Sequence, residues 1–193
     1  YNTRYVDIKR WNNHNRENKK PTEEIDLMVS ETQIYLLLKK FLPEKGWILI
    51  GGEPPDGTNS MPRIELKDDI NLSKGSKGSK KIDLLFYKNR FFLLLELKEK
   101  YEFSDVKKLN EIVHTEKWRL AFIRALEEKR ALELKNISIR TKDYINSDYR
   151  LIKSIAYSEG KENPENFVTF VVDKNGIKIN FGKNITEEII KLF

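Results

Sequence analysis

Two adjacent apolar segments, joined by a short polar turn, constrain the fold of this chain more than any other feature. They span residues 82–87 and 91–98, and both have the length and composition of β-strands. If they pair as a hairpin, the start of the first and the end of the second meet at one edge of a sheet. Asp83 opens the first segment, and Glu96 and Lys98 close the second. The hairpin would therefore gather three charges.

Side-chain alternation decides how these charges are arranged. Successive residues of a strand point to opposite faces, so Glu96 and Lys98 share one face and Leu97 takes the other. Carboxylates and an ammonium beside an apolar sheet cost desolvation free energy, which favours a functional reason for their presence. The arrangement of Asp83, Glu96 and Lys98 predicts a site for a divalent cation.

Composition limits the classes of function that remain. The chain has 193 residues and a formal net charge of +6, and its pI is about 9.2. This balance favours a polyanionic partner, although a lysine-rich surface that only maintains solubility fits it equally well. Cysteine is absent, which excludes disulfide scaffolds, thiolate zinc sites and cysteine nucleophiles. The only histidines, His14 and His114, are too far apart in sequence to suggest a histidine metal site.

No apolar run approaches the length that spans a membrane, and no signal-peptide pattern opens the sequence. We therefore expect a soluble intracellular, cytoplasmic protein without membrane contact. Its length predicts a single domain comprising residues 1–193. Within it, residues 1–20 are polar and predict an N-terminal arm.

A helix is predicted from Thr22, as N-cap, to about Leu42. Its apolar positions form one stripe at helical spacing. They are Leu27, Met28, Ile34, Tyr35, Leu38 and Phe41. Glu31 falls inside this stripe. A glutamate on an apolar helix face needs a partner, which makes Glu31 a candidate functional residue.

A short strand is predicted at Trp47–Ile50, followed by a long basic loop over residues 51–81, with a short strand at Arg63–Leu66. Four lysines of this loop could grip a phosphodiester backbone. They are Lys74, Lys77, Lys80 and Lys81. A solvated loop without such a role explains the same residues equally well.

After the hairpin, Ser104–Arg130 is predicted to be helical, with a break near His114-Thr115. Further strands are predicted at residues 136–140, 149–157, 167–172 and 177–181, the last two joined by a tight turn at Asp173–Gly176, and a closing helix at residues 186–193. This order predicts an α/β (α+β) fold with a central mixed β-sheet flanked by helices.

A helix with an inward glutamate, then strands carrying Asp and Glu-x-Lys, then a second helix, resembles the core of the PD-(D/E)xK nucleases. These enzymes have the restriction-endonuclease-like fold. The resemblance covers residues 22–130, the predicted catalytic core. Asp83 matches the first Asp of the motif, and Glu96 with Lys98 matches its second half, with twelve residues between Asp83 and Glu96. Glu31 matches the helical glutamate of many members.

A second stretch matches the motif more literally. Asp56 follows a proline, and Glu65-Leu66-Lys67 follows after eight residues, whereas Ile82 stands where the motif has proline before Asp83. The Asp56 version lies among prolines and glycines that disfavour a well-paired hairpin. We therefore favour the Asp83 version, while Asp56 or Glu65 could contribute an additional acidic group.

The resemblance implies a magnesium site, in which Mn²⁺ can substitute. Asp83 and Glu96 would be the metal ligands, joined by the Leu97 backbone carbonyl, and Glu31 would hold a second metal or its water. Lys98 would orient or help deprotonate the attacking water and neutralise charge on the phosphate. Two further lysines on the next helix are candidates for phosphate contacts. They are Lys107 and Lys108.

The resemblance implies a Mg²⁺-dependent endonuclease that hydrolyses DNA, most similar to type II restriction endonucleases, which act on double-stranded DNA as homodimers. Nucleases of the same fold in recombination, repair or viral replication are alternatives, as is an RNA-processing nuclease. A nucleic-acid-binding module that keeps the fold without cutting is a rival of another class.

Overall fold

The computed structural model describes residues 29–55, 57, 61–67 and 78–193, together with the backbone of residues 3–7. In chain order its elements are β1 (Thr3–Asp7), α1 (Glu31–Glu44), β2 (Ile48–Gly52), β3 (Glu65–Leu66), β4 (Lys80–Lys81), β5 (Leu84–Lys88), β6 (Phe91–Lys100), α2 (Phe103–His114), α3 (Glu116–Glu128), α4 (Lys142–Ile145), β7 (Leu151–Glu159), β8 (Val168–Asp173), β9 (Gly176–Phe181) and α5 (Glu187–Ile190).

Seven strands form one sheet in the order β1-β9-β8-β7-β6-β5-β2. The pairs β6–β7 and β7–β8 are parallel, and the other pairs are antiparallel. The sheet is therefore mixed, with helices on both faces, and the predicted fold class is confirmed. Three of its strands come from the part of the chain beyond residue 150, so the sheet extends well past the segment that carries the motif.

The predicted hairpin is present as β5–β6. Leu84 pairs with Leu95 and Lys88 with Phe91, which leaves a two-residue loop. The loop residues Asn89 and Arg90 have φ values of 48° and 70°. Positive φ at both positions is the geometry whose twist matches a tight antiparallel hairpin. The register of the two strands is thereby fixed.

Apolar side chains cover both faces of β6. Phe92 and Leu94 belong to a core cluster shared with α2 and α3, whereas Leu93, Leu95 and Leu97 belong to a cluster shared with α1 and the C-terminal residues. A strand buried on both faces reads as a continuous apolar run. Glu96 is the first charged residue of this run, and it follows Leu94 by two positions, on the side of α2.

The start of the first helix differs from the prediction. Helix α1 begins at Glu31, after Ser30, whose Oγ accepts from the Gln33 amide at 3.3 Å while the Gln33 side chain accepts from the Ser30 amide at 2.9 Å. This reciprocal capping box defines where α1 begins. The prediction of a continuous helix from Thr22 is therefore wrong. Thr22 itself lies outside the described residues.

Other elements follow the sequence prediction in part. The break between α2 and α3, the strand β7 and the β8–β9 hairpin are confirmed. The strand predicted at residues 136–140 is wrong, because a 3-10 turn ends at Asn136 in the left-handed conformation, with φ of 54°. The closing helix is only the short α5. The predicted loop 51–81 begins within β2, which runs to Gly52, and includes the two-stranded ribbon β3–β4.

None of the helices in the described part of the chain is long and apolar enough to cross a membrane.

Candidate active site

The most deeply buried acidic side chain lies at the end of the apolar part of β6. Glu96 is 1% exposed, and its Oε2 contacts the Nζ of Lys108 from α2. Its other oxygen, Oε1, is buried and has no hydrogen-bond partner among the described residues. A buried carboxylate oxygen without a partner forfeits its hydration and gains nothing in return. Such an oxygen is suited to accept a hydrogen bond or to bind a hard cation.

Asp83 lies directly before β5, one position beyond the Leu84–Leu95 pair. Its Oδ2 accepts a hydrogen bond from the backbone amide of Leu97 at 2.8 Å. This bond holds the Asp83 carboxylate against β6, next to Glu96. The structure thus brings together the two residues that the sequence predicts as metal ligands. The role of the Leu97 carbonyl stays a prediction.

Glu31 and Lys98 meet at the outer side of the cluster. Glu31 is the first residue of α1, and its Oε2 lies 3.7 Å from Lys98 Nζ, with each side chain 34% exposed. The start of α1 is attached to the sheet because the Val29 amide donates to Ser158 Oγ in β7 at 3.1 Å. The predicted inward position of Glu31 therefore brings it to Lys98.

Asp105 also belongs to the cluster, although it is not among the site residues predicted from the sequence. It is 7% exposed, and its Oδ1 lies 3.9 Å from Lys108 Nζ. The signal that could have found it is the one that singled out Glu31. Asp105 stands four residues before the buried Leu109, on the apolar face of α2.

The pKa values in this cluster reflect burial and mutual repulsion. Burial, with Asp83 as a further contributor, raises the pKa of Glu96 well above its ordinary value, despite the opposing charge of Lys108. Burial also raises the pKa values of Glu31 and Asp105. Carboxylates held close together in a desolvated place resist full ionisation unless a cation joins them.

Lys98 responds in the opposite sense. Burial would lower the pKa of its ammonium, but the neighbouring carboxylates, led by Glu31 and Asp105, outweigh burial and raise the pKa. Lys98 therefore stays a cation at any ordinary pH. This favours a role in stabilising negative charge over a role as a general base.

The charges of the cluster do not balance. The cluster contains four carboxylates and two ammonium groups, those of Lys98 and Lys108. Its formal charge is therefore −2 when all six groups are ionised. The carboxylates are Glu31, Asp83, Glu96 and Asp105. The exposed Glu99 and Glu102 add negative charge nearby. One divalent cation would bring the formal charge of the four carboxylates and two ammonium groups to zero.

The donors fit a hard cation. Only oxygen ligands are present, and Mg²⁺ is commonly held by one or two carboxylates while it retains water. Within the described ranges, no group of three or more histidine, aspartate or glutamate side chains forms a ready cage for a metal ion. A metal here would therefore be held by few side chains, with Asp83 and the partnerless Oε1 of Glu96 as its direct carboxylate ligands.

A shallow opening with room for about one water molecule lies beside the cluster. Glu96, Lys98 and Asp105 line one part of it, and Tyr101 and Tyr157 line another. The two tyrosine rings pack edge to face, with centroids 5.9 Å apart. The charged groups are thus accessible from solvent through a partly aromatic opening.

The lysines predicted to bind phosphates lie in different settings. Lys80 Nζ is 2.5 Å from Glu111 Oε2, and Lys81 Nζ is 3.0 Å from Glu53 Oε1. Lys107 is exposed on α2, whereas Lys108 is held by Glu96 and Asp105. Two further lysines of the prediction lie outside the described residues. They are Lys74 and Lys77.

The alternative motif does not reach the cluster through its described contacts. Glu65 belongs to the ribbon β3–β4, and its Oε1 accepts from Ser79 Oγ at 2.6 Å. Lys67 follows the same short strand, and Asp56 lies outside the described residues. The acidic cluster thus forms around Asp83 and Glu96.

No family model, curated protein or solved structure matches this chain.

Proposed function

We propose that this protein is a Mg²⁺-dependent nuclease that hydrolyses phosphodiester bonds in DNA. The observation that carries the proposal is the buried Glu96 carboxylate, which lies beside Asp83, Asp105 and the cationic Lys98. One of its oxygens has no hydrogen-bond partner within the described ranges. This combination of hard ligands and a fixed ammonium suits the binding of a metal ion and a negatively charged phosphate side by side.

In this proposal each residue has a distinct task. Asp83 and Glu96 bind the metal, which supplies Lewis-acid polarisation of the phosphate when it is present. Lys98 stabilises the charge that develops on the phosphate. Glu31 orients Lys98 through their ion pair.

A polyanionic substrate agrees with the charge of the whole chain. The formal net charge is +6 even though the site itself is acidic, so basic groups elsewhere must offset the cluster. Exposed lysines such as Lys107 on α2 would contact the backbone of the substrate. We further propose double-stranded DNA as substrate and activity of the type II restriction endonuclease kind, carried out by a homodimer in which each copy cuts one strand.

The test is incubation of the purified protein with supercoiled plasmid and Mg²⁺. We expect cleavage that EDTA abolishes and that Glu96→Gln reduces by at least about a thousandfold, since loss of a group that stabilises transition-state charge typically has effects of this order. Glu65→Gln is the matched control, because it changes a partly buried glutamate of the ribbon, and it should cleave at the wild-type rate.

The products distinguish the finer proposals. Discrete bands support a sequence-specific endonuclease, and a smear supports a nonspecific nuclease of the repair or recombination kind. Cleavage of RNA in preference to DNA would mean that the substrate is RNA and not DNA. Binding without cleavage by the wild-type protein in Mg²⁺ or Mn²⁺ would contradict the enzyme proposal and favour a binding module.

A further inference from the structure

The acidic cluster contains its own cation in the form of Lys108. Its ammonium reaches Glu96 Oε2 and lies 3.9 Å from Asp105 Oδ1. Lys98, by contrast, pairs with Glu31 at the outer side of the cluster. The deepest carboxylate is therefore neutralised in part by Lys108 and by no other described lysine in contact with it.

This contact leaves the cluster incompletely satisfied. In the part of the chain that the structure describes, Glu96 Oε1 has no hydrogen-bond partner, because the Lys108 ammonium contacts only Oε2. A fully compensated buried ion pair normally satisfies both oxygens. The Lys108 contact therefore compensates part of the desolvation of Glu96 and leaves room for a ligand that would compensate the rest.

The Lys108 side chain can readily be released from its contact with Glu96. Its side chain is 26% exposed, and lysine has a flexible aliphatic stem that lets the ammonium return to water while the stem remains packed. A divalent cation carries twice the charge and can coordinate a carboxylate oxygen directly. A cation bound to the free Oε1 would lie close to the Lys108 ammonium, which contacts Oε2 of the same carboxylate. The two positive charges would repel each other, and the divalent cation would win the competition for Glu96.

We propose that Lys108 is a displaceable counter-ion, which holds the acidic cluster together in the metal-free protein and is released from Glu96 when a divalent cation binds. This inference rests on the proposed metal-dependent function and adds a regulatory element to that site. Competition with Lys108 lowers the affinity of the site for the cation. When the cation binds, the Lys108 ammonium becomes free at the solvent-exposed side of the site. Metal binding and the availability of a phosphate-binding group are thereby coupled.

The first test is calorimetric titration of the protein with Mn²⁺ at pH 8.5, where protons compete little for the carboxylates. Removal of the competing ammonium in Lys108→Met should tighten binding about tenfold, the equivalent of about 1.4 kcal/mol. Lys129→Met is the control, since it removes an exposed lysine that follows α3 and has no role in the proposed site. Its affinity for Mn²⁺ should equal that of the wild type.

The second test uses the unmodified chain and is therefore independent of whether a variant folds. A short pulse of an amine-acylating reagent, followed by peptide mass spectrometry, measures the accessibility of each lysine. Saturating Ca²⁺ or Mn²⁺ should increase acylation of Lys108 at least about threefold, as an ammonium released from an ion pair reacts more readily. Acylation of Lys107 should not change.

The outcomes separate the two proposals. If wild-type protein binds Mn²⁺, and Glu96→Gln abolishes that binding, but neither Lys108 acylation nor the Lys108→Met affinity changes, the exchange is refuted and the metal site stands. Weaker binding in Lys108→Met would also refute it, because Lys108 would then support the metal. If the wild type binds no divalent cation at all, both the exchange and the proposed metal-dependent function fail.

Discussion

The Asp83 carboxylate accepts a hydrogen bond from the Leu97 amide at 2.8 Å, so the backbone between Glu96 and Lys98 holds the first acidic residue of the cluster in place. One Asp83 oxygen is thereby fixed on β6. This contact explains why a hairpin, rather than a loop, is the right support for the site, since both strands contribute to the position of one carboxylate.

Two substitutions at Asp83 should separate its chemical and structural roles. Asp83→Asn keeps an oxygen that can accept from the Leu97 amide but removes the charge, so we expect full loss of cleavage with unchanged stability. Asp83→Ala also leaves the amide of the buried Leu97 unpaired, which should reduce the free energy of unfolding by about 1–3 kcal/mol. Plasmid cleavage and urea unfolding measure the two effects. Cleavage by Asp83→Asn at the wild-type rate would remove Asp83 from the site.

The ionised Glu96 side chain should lower the free energy of unfolding of the protein. Because its pKa is raised in the folded state by burial, its ionisation costs more free energy there than in the unfolded chain. In EDTA at pH 8, Glu96→Gln should therefore increase the free energy of unfolding by about 1 kcal/mol, a typical gain when a destabilised active-site group is replaced.

The pH dependence of this effect has a definite sign. Between the ordinary glutamate pKa of 4.5 and the raised folded value, the folded state binds more protons than the unfolded state, so stability falls as pH rises. The gain from Glu96→Gln should shrink as pH is lowered and vanish below about pH 4, where the carboxyl is neutral in both states. Urea unfolding from pH 4 to 8 measures it. A gain that is independent of pH would mean that the substitution acts through packing.

The sequence predicted the hairpin and its charges because these depend on short-range rules. Alternation places Glu96 opposite to Leu97, and a polar pair between apolar runs predicts the turn. Asp105 and the Lys108–Glu96 contact escaped prediction, because they depend on how α2 packs on the sheet. The start of α1 was missed for a different reason. The apolar stripe of the sequence continues before Ser30 to Leu27 and Met28, whereas the Ser30–Gln33 capping box determines where α1 begins.

A glycine in the neighbouring strand controls the position of Asp83. A Cβ on Gly52 would lie 2.2 Å from the Asp83 carbonyl oxygen, and the Glu53 amide donates to that same oxygen at 3.0 Å. Any side chain at Gly52 must therefore push β2 and Asp83 apart. The close approach of the two backbones is possible only because the residue lacks a Cβ.

Gly52→Ala should thus reduce the free energy of unfolding by about 1–3 kcal/mol, the usual range for forced overpacking, and should weaken Mn²⁺ binding by displacing Asp83. Gly57→Ala is the control. Its added Cβ would meet no atom within 4 Å, so it carries only the cost of its left-handed backbone, about 1–2 kcal/mol. Denaturant unfolding and calorimetry measure both variants. Wild-type Mn²⁺ affinity in Gly52→Ala would show that Asp83 tolerates the shift.

A second buried polar group lies beneath α2, away from the acidic cluster. Lys153 of β7 is 4% exposed, and its Nζ lies 2.7 Å from Asn110 Oδ1 and 2.8 Å from His114 Nε2. The His114 Nδ1 is 2.6 Å from Asp148 Oδ2. No carboxylate contacts Lys153 directly among these partners, and burial lowers its pKa to about 8, against the opposing charge of Asp148.

The lowered pKa of Lys153 predicts a rise of stability with pH in the alkaline range. Between about pH 8 and the ordinary lysine pKa of 10.5, the unfolded state binds more protons at this side chain than the folded state. The free energy of unfolding should therefore gain up to about 1.4 kcal/mol per pH unit from this group. Lys153→Met should lose that slope, and Lys161→Met, which changes an exposed lysine, should keep it. Urea unfolding at pH 7.5, 8.5 and 9.5 provides the measurement, and parallel slopes in the wild type and Lys153→Met would contradict the lowered pKa.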